Sequence, residues 1–442
     1  MEASKQTIGL WEAVAIAVGT MIGASIFSIF GVGVKIAGDN LPEAFLLSGV
    51  FAVIVAYSYG KLGGNIISNA GPIEFILRGI GDNIVTGALS ILMWLSYVVS
   101  ISLFANGFAG YFLPLVGIKS TFLSMGIVEV VLVAFFTGIN SFGGQAVGRA
   151  EVFIVMVKLL ILGVFIVLGM TSLHAGYITP STTSHGLQGT LSAAVVFFLS
   201  YMGFGLITNA SENIRDARKN VPRAIFISIG LVMVVYVLVS LAAIGNLSVP
   251  QLIAAADNAL AVAAKPFLGT FGFFLISIGA LFSISSALNA TLFGGANIAY
   301  SLAKDGELPK IFERKSWRHA PEGLYITAVL GMVLAFLFNL SSIAAITSSI
   351  FTIIYVFVLI SHFRLVRTVG GKKPLIVLNL VIMVAVFVTL LRYQWLTERV
   401  AFWGTLIALF GAVLFEYVYR SITKRKFSVR TVHVTPPGMT PA

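Results

Sequence analysis

Long apolar runs separated by short polar loops dominate the pattern along this 442-residue chain. A helix needs about 20 apolar residues to cross the hydrocarbon core of a bilayer, and roughly twelve runs approach or exceed that length. Milder segments near 71–80 and 249–264 are predicted to form short amphipathic helices. The predicted spans are 10–36, 43–66, 84–114, 121–140, 146–172, 189–213, 222–245, 267–302, 323–340, 342–364, 375–393 and 400–420. The pattern therefore predicts an all-α polytopic membrane protein.

Composition supports the prediction of a membrane protein and argues against several kinds of metal, cofactor and catalytic site. Hydrophobic residues make up 58% of the chain and charged residues 10%, whereas soluble domains carry about 25% charged residues. Without a cysteine there is neither a disulfide framework nor a thiolate metal site. The five histidines lack ligand-like spacing, and no phosphate-binding loop occurs. We therefore expect no metal, no cofactor and no enzyme activity.

The basic residues indicate the orientation of the chain in the lipid bilayer. Of the 28 lysines and arginines, 22 fall on the side that holds both termini, five fall on the other side, and Lys158 lies within a span. Cytoplasmic loops are enriched in basic residues, so both termini are expected in the cytoplasm. The net charge of +11 follows these loops and predicts no nucleic-acid partner. No obligatory protein partner is evident.

Domain organisation follows from the same pattern. Residues 1–420 are expected to form one transporter domain in the cell membrane, with repeats near 10–172 and 189–364 and two extra helices near 375–420. The polar segment 427–442 is expected to be a disordered cytoplasmic tail.

Spans 1 and 6 both carry small residues at their centres. Span 1 has Gly19 and Gly23, and span 6 has Gly203 and Gly205. Such glycines are often close-packing notches between helices. These two spans, however, begin two five-span halves, which insert with opposite topology because five is odd. Paired glycine interruptions in inverted halves predict a binding site at the membrane midplane.

An interrupted helix offers backbone groups that suit a zwitterion. Freed N–H groups of Ala24, Ser25 and Ile26 at a half-helix start would bind a carboxylate, while freed carbonyls would accept hydrogen bonds from an ammonium. An α-amino acid carries both groups at a fixed separation, so it is the expected substrate class.

Two longer motifs resemble the amino acid–polyamine–organocation family. The run Glu212–Ile225 (ENIRDARKNVPRAI) is similar to that family's loop after span 6, and Asn289–Pro309 is similar to its span 8 signature. With the span 1 motif, the resemblance covers essentially the whole chain and is closest to archaeal proton-coupled, broad-specificity amino-acid transporters. It implies the leucine-transporter-type fold: two inverted five-helix repeats plus two C-terminal helices.

The resemblance also implies a substrate site. The carboxylate would meet the span 1 N–H groups in the run Gly23-Ala24-Ser25-Ile26-Phe27, where the family commonly has Gly-Ser-Gly-Ile-Phe. The amino group would meet carbonyls at Ile22, Leu199 and Met202, and Tyr201 or Phe204 would close over the side chain. Many members carry a glutamate where this chain has Gly205, so coupling through that carboxylate cannot operate here.

Lys158 is the candidate for proton coupling. It lies in an apolar span, where a charged lysine costs at least about 2.5–3.5 kcal/mol on insertion scales. Because burial disfavours the charged amine, such a lysine can gain and lose a proton. We expect its amine at the Gly19 carbonyl, with a hydroxyl from Ser283 or Ser286, where sodium-driven relatives hold a cation. The alternative is a static ion pair with Glu129 in span 4.

The sequence thus predicts a proton-coupled symporter of amino acids, broad in specificity and favouring small neutral ones. An exchanger of the same fold is the first alternative. An intramembrane enzyme or a channel is the second, but an enzyme needs convergent catalytic groups and a channel needs rings of carbonyls or charges.

Overall fold

A computed structural model describes residues 8–141, 147–174, 180, 183–304, 306–315 and 320–423. In these ranges every regular secondary-structure element is a helix, and two isolated β-bridges are present besides. This confirms the predicted all-α class. A 3-10 segment, Phe198–Phe204, joins α8 to α9. The helices are α1 (Leu10–Ser28), α2 (Phe30–Ala37), α3 (Leu41–Asn65), α4 (Pro72–Ile80), α5 (Ile84–Leu115), α6 (Phe122–Asn140), α7 (Val147–Thr171), α8 (Ser184–Phe197), α9 (Gly205–Asn209), α10 (Ala217–Ile244), α11 (Val249–Ala254), α12 (Ala259–Ala263), α13 (Lys265–Lys304), α14 (Glu322–Leu337), α15 (Leu340–Val369), α16 (Lys373–Thr397) and α17 (Arg399–Thr423).

Eleven helical segments of the described chain are long and apolar enough to cross a membrane, one of them combining α2 and α3 over Phe30–Asn65. Helix α14 is also apolar but has only 16 residues. Sixteen residues rise about 24 Å, less than a hydrocarbon core of about 30 Å. The multi-pass architecture is therefore confirmed, and the count of twelve spans stays a prediction. The predicted disordered tail, 427–442, lies outside the described residues.

Helices in the first half of the chain make the same contacts as their equivalents in the second half. Helix α3 packs on α10 and α5 packs on α13, which are pairs formed across the two halves. Helix α1 packs on α7 just as the 3-10 segment packs on α15, and α10 packs on α7 just as α3 packs on α15. Two repeats related by an axis in the membrane plane produce this pattern. The contacts therefore fit the inverted-repeat fold, while the repeat boundaries remain a proposal.

The two predicted helix interruptions have different outcomes. Span 6 is interrupted as expected, because α8 gives way to the 3-10 segment before α9 begins at Gly205. Span 1 is not interrupted at its central glycines: α1 continues to Ser28 and the backbone leaves the helix at Ile29. A glycine costs a helix only about 1 kcal/mol. That cost is offset here by packing, since a Cβ at Gly23 would lie 2.7 Å from the Ala287 Cβ of α13.

Candidate functional site

A cavity lies between α1, α5, α13, α15 and the interrupted helix α8–α9. Its volume is about 90 Å³, counting only the space that the centre of a water molecule can occupy. One water needs about 10–15 Å³ by this measure, so the cavity has room for the non-hydrogen atoms of a small amino acid. The lining residues include Thr20, Ser25, Tyr97, Ser100, Leu199, Met202, Gly203, Gly205, Asn209, Thr291, Thr347 and Tyr355.

The cavity extends toward the side of the molecule that holds the N-terminus. Its lining reaches Pro72 at the start of α4 and Asn209 at the end of α9, both on that side. On the opposite side the helix ends are in close contact. A Cβ at Gly31 of α2 would overlap the Ala256 carbonyl oxygen, and one at Gly110 of α5 would lie 2.6 Å from the Asp257 Cβ. On that side α2 and α5 are therefore packed closely against the segment before α12.

All lining side chains of this cavity are uncharged. Hydroxyl, amide and backbone groups supply its polarity, together with apolar side chains such as Leu103 and Phe104 of α5. A group that carries net charge would meet no opposite charge on the lining, whereas a zwitterion brings its own opposite charges. The lining therefore suits a neutral molecule with a polar backbone and a modest side chain.

The predicted substrate residues divide into two groups in the structure. Ser25, Leu199 and Met202 line the cavity. Ile22 and Ile26 are buried in α1 away from the cavity, and Gly23 faces α13; the backbone of Ala24 is helical, and its side chain lies outside the described residues.

The two aromatic residues expected to close over the substrate lie behind the cavity wall in this conformation. Tyr201 is fully buried and its hydroxyl donates to the Phe45 carbonyl at 2.9 Å. Phe204 is also fully buried and packs edge-on against Tyr59, with ring centroids 5.2 Å apart. Either ring would have to leave its packing to touch a substrate.

Three carbonyls at the centre of α1 accept hydrogen bonds from side chains of three other helices. Lys158 Nζ of α7 donates to the Gly19 oxygen at 2.6 Å. The Tyr236 hydroxyl of α10 donates to the Met21 oxygen. Ser283 Oγ of α13 donates to the Ile22 oxygen at 2.8 Å. The centre of α1 is therefore held from three directions.

Tyr236 is the member of this set that sequence reasoning missed. Its hydroxyl also lies 3.3 Å from the Ser200 carbonyl oxygen, so one side chain contacts both α1 and the 3-10 segment. The available signal was a tyrosine in the middle of an apolar span, Val234-Val235-Tyr236-Val237. A buried tyrosine hydroxyl normally finds a hydrogen-bond partner.

Lys158 is 2% exposed and lies outside the cavity lining. Helix α7 contacts α1 and α13, and the lysine reaches the Gly19 carbonyl of α1 from outside the cavity. Ser286 follows Ser283 by one helical turn on α13. Glu129 is 3% exposed, and among the described residues no ion pair joins it to Lys158. The alternative of a static Lys158–Glu129 pair therefore lacks structural support.

Comparison with known proteins assigns the family. The family model described as amino acid permease matches residues 8–424. This chain belongs to the amino acid permease family. The permease is 60% identical to the uncharacterized protein MJ0609 of Methanocaldococcus jannaschii over 97% of its own length and 98% of the relative's. It is 33% identical to the inner membrane transport protein YbaT of Escherichia coli, covering 96% and 97% of the two chains.

A more distant relative of the permease is named a methylthioribose transporter, from Bacillus subtilis, at 25% identity over 80% of this chain and 81% of that one. Family membership confirms the predicted resemblance to the amino acid–polyamine–organocation transporters. The permease is accordingly a multi-pass membrane protein of an amino-acid transporter family.

Proposed function

We propose that this permease is a secondary active transporter that moves amino acids together with protons, with broad specificity and a preference for small neutral substrates. The observation that carries the proposal is the placement of Lys158. Its buried amine lies 2.6 Å from the Gly19 carbonyl oxygen, in the middle of a helix that lines the cavity. A proton on this amine changes how firmly α1 is held.

The coupling works through the backbone of α1. Gly19 accepts the hydrogen bond from Lys158 on one face, and the next residue, Thr20, lines the cavity on another. A charged ammonium forms stronger hydrogen bonds than a neutral amine. Protonation of Lys158 therefore stabilises α1 against α7, and loss of the proton frees α1 to move with the substrate.

Substrate recognition uses the uncharged cavity and the backbone of the two equivalent helices. The ammonium would meet carbonyls of the 3-10 segment near Leu199 and Met202, both of which line the cavity. The carboxylate would meet Ser25 and the N–H groups of Ala24 to Ile26. Since α1 is helical there, these N–H groups require a local opening of the helix, which glycines at positions 19 and 23 make inexpensive.

The deciding experiment is uptake of radiolabelled alanine into proteoliposomes, with an imposed inward proton gradient and no sodium. We expect the gradient to drive accumulation by the wild-type protein, and Lys158→Ala to lose that drive while still exchanging preloaded alanine. Lys119→Ala, at an exposed loop position, is the matched control and should behave as wild type. If neither protein responds to protons but both accelerate with preloaded substrate, the permease is an exchanger and Lys158 is structural.

The proposal includes a location in the cell membrane with both termini in the cytoplasm. Because the chain has no cysteine, a single introduced cysteine reports sidedness without background. Lys119→Cys should react with a membrane-impermeant thiol reagent from outside intact cells, and Lys372→Cys should react only after permeabilisation. The reverse pattern would invert the assignment.

A further inference from the structure

The part of the cavity next to Gly205 and Tyr355 combines open space with a tyrosine hydroxyl that has no hydrogen-bond partner among the described residues. A Cβ added to Gly205, the first residue of α9, would meet no atom within 4 Å. The ring of Tyr355 stacks on the preceding residue, Phe204, with centroids 5.7 Å apart. Gly205 and Tyr355 both line the cavity. The open space and the tyrosine therefore belong to one compartment.

The Tyr355 hydroxyl is buried and has no hydrogen-bond partner among the described residues. An unsatisfied buried polar group costs about 1–3 kcal/mol, so a structure retains one where a ligand or a water satisfies it. The ring is also firmly positioned. Besides Phe204, it packs against Tyr59 at 5.4 Å and Phe198 at 5.5 Å between centroids. The Tyr355 ring is thus held at a fixed place in the cavity lining.

Asn209 also lines the cavity and carries a second buried polar atom without a hydrogen-bond partner among the described residues. The Asn209 side chain donates from Nδ2 to the Tyr97 hydroxyl at 3.3 Å, while its Oδ1 is buried without a hydrogen-bond partner among the described residues. That oxygen lies close to Gly71, which is not among the lining residues of the cavity. The compartment thus offers the Tyr355 hydroxyl as a donor, and Asn209 and Tyr97 line the same cavity.

We infer that this compartment, bounded by Gly205, Tyr355, Tyr97 and Asn209, is a subsite for an uncharged, hydrogen-bonding substrate side chain, and that carboxamide amino acids are preferred among the larger substrates. This inference rests on the proposed function and names a substrate class for the same cavity. A carboxamide oxygen can accept a hydrogen bond from the Tyr355 hydroxyl, which has no partner among the described residues. A carboxylate would be buried without a cation, which is strongly unfavourable.

The test compares glutamine with methionine, which has a similar length but no comparable hydrogen-bonding group, as competitors of labelled alanine uptake. One hydrogen bond contributes about 0.5–1.5 kcal/mol, so glutamine should inhibit about 2- to 12-fold more strongly than methionine. Glutamate should inhibit more weakly than both. In Tyr355→Phe the glutamine-to-methionine ratio should fall toward one, whereas Tyr419→Phe, a hydroxyl removed from outside the cavity, should keep the wild-type ratio.

A second variant keeps the inference testable if Tyr355→Phe fails to fold. Gly205→Leu fills the open space, so glutamine and methionine should both stabilise the purified variant less than they stabilise the wild-type protein. Equal inhibition by glutamine and methionine in the wild type would overturn the inference, as would an unchanged ratio in Tyr355→Phe.

Thermal stabilisation of purified protein by glutamine, methionine and alanine gives a readout independent of transport. If alanine is taken up without proton coupling, the proposed coupling fails while the subsite can still hold. If alanine uptake is proton-driven but glutamine stabilises the protein no better than methionine, only the subsite fails.

Discussion

Gly203 and Gly205, two positions apart in the interrupted helix, allow a controlled test of its packing against α1. A Cβ at Gly203 would lie 2.9 Å from the Ala17 oxygen, the Met21 nitrogen and the Met21 Cγ. Carbon atoms in favourable contact are about 3.5–4.0 Å apart, so α1 and the 3-10 segment would have to separate by roughly 0.6–1 Å. Two of the three contacted atoms are backbone and cannot rotate away. A Cβ at Gly205 would meet nothing within 4 Å.

The magnitude follows from comparing the same substitution at the two sites. Replacing glycine by alanine lowers the conformational entropy of the unfolded chain, which stabilises the folded protein by about 0.4–1 kcal/mol where the native backbone conformation suits alanine. Both variants share this contribution. Overpacking at Gly203 costs about 1–3 kcal/mol. Gly203→Ala should therefore be less stable than Gly205→Ala by that amount. Gly205→Ala should equal or exceed the wild type.

Unfolding in one detergent, followed by tryptophan fluorescence and by loss of the monodisperse peak, measures this difference. Proteoliposome uptake should also slow in Gly203→Ala, because α1 and the 3-10 segment both line the cavity. Equal stability of the two variants would refute the packing argument, since it would mean that the two helices separate without cost.

Three further outcomes are expected. Gly87→Ala should destabilise the protein by about 1–3 kcal/mol, because the new methyl would overlap the buried, ion-paired carboxylate of Glu416. Gly230→Ala is the control, since there is open space around Gly230, and it should not destabilise the protein. Thermal unfolding of the two variants measures the difference. Tyr236→Phe should lower stability by about 1–3 kcal/mol and reduce transport, since it removes the hydroxyl that contacts both α1 and the 3-10 segment; wild-type stability would contradict this. Burial raises the pKa of the Asp257 carboxyl in the 3-10 turn before α12. Folding therefore favours the protonated form, and stability is lost as pH rises above the ordinary aspartate range. Asp257→Asn should flatten that part of the melting-temperature profile, and parallel profiles would contradict the assignment.

Apolar run length was enough to locate most of the helices. The span predicted at 84–114 is α5, Ile84–Leu115, because a bilayer requires a continuous apolar helix and a charged or polar loop ends it. Helix α10 begins at Ala217, five residues before the predicted 222, since its first turns are polar and lie before the apolar run. Apolarity marks the membrane boundary and not the helix boundary. For the same reason the 16-residue α14 leaves the span count open.

Side-chain placement was harder to predict than helix position. Lys158 could be placed near Gly19 because a buried amine needs an acceptor and a family resemblance supplied the location. The direction in which Tyr201 and Phe204 point could not be read from sequence, since the 3-10 geometry of their segment rotates side chains differently from an α-helix. Tyr236 escaped notice because a single tyrosine in an apolar span carries no pattern.

The hydrogen bonds that hold α1 also have a consequence for biogenesis. The donors to its central carbonyls lie 139, 215 and 261 residues later in the chain. During synthesis α1 enters the bilayer before any of them, so its central turns complete their final packing only after α13 has been inserted. The order is favourable for Lys158. When α7 leaves the ribosome, the Gly19 carbonyl is already in the membrane, and the most costly side chain to insert meets an acceptor that was made before it.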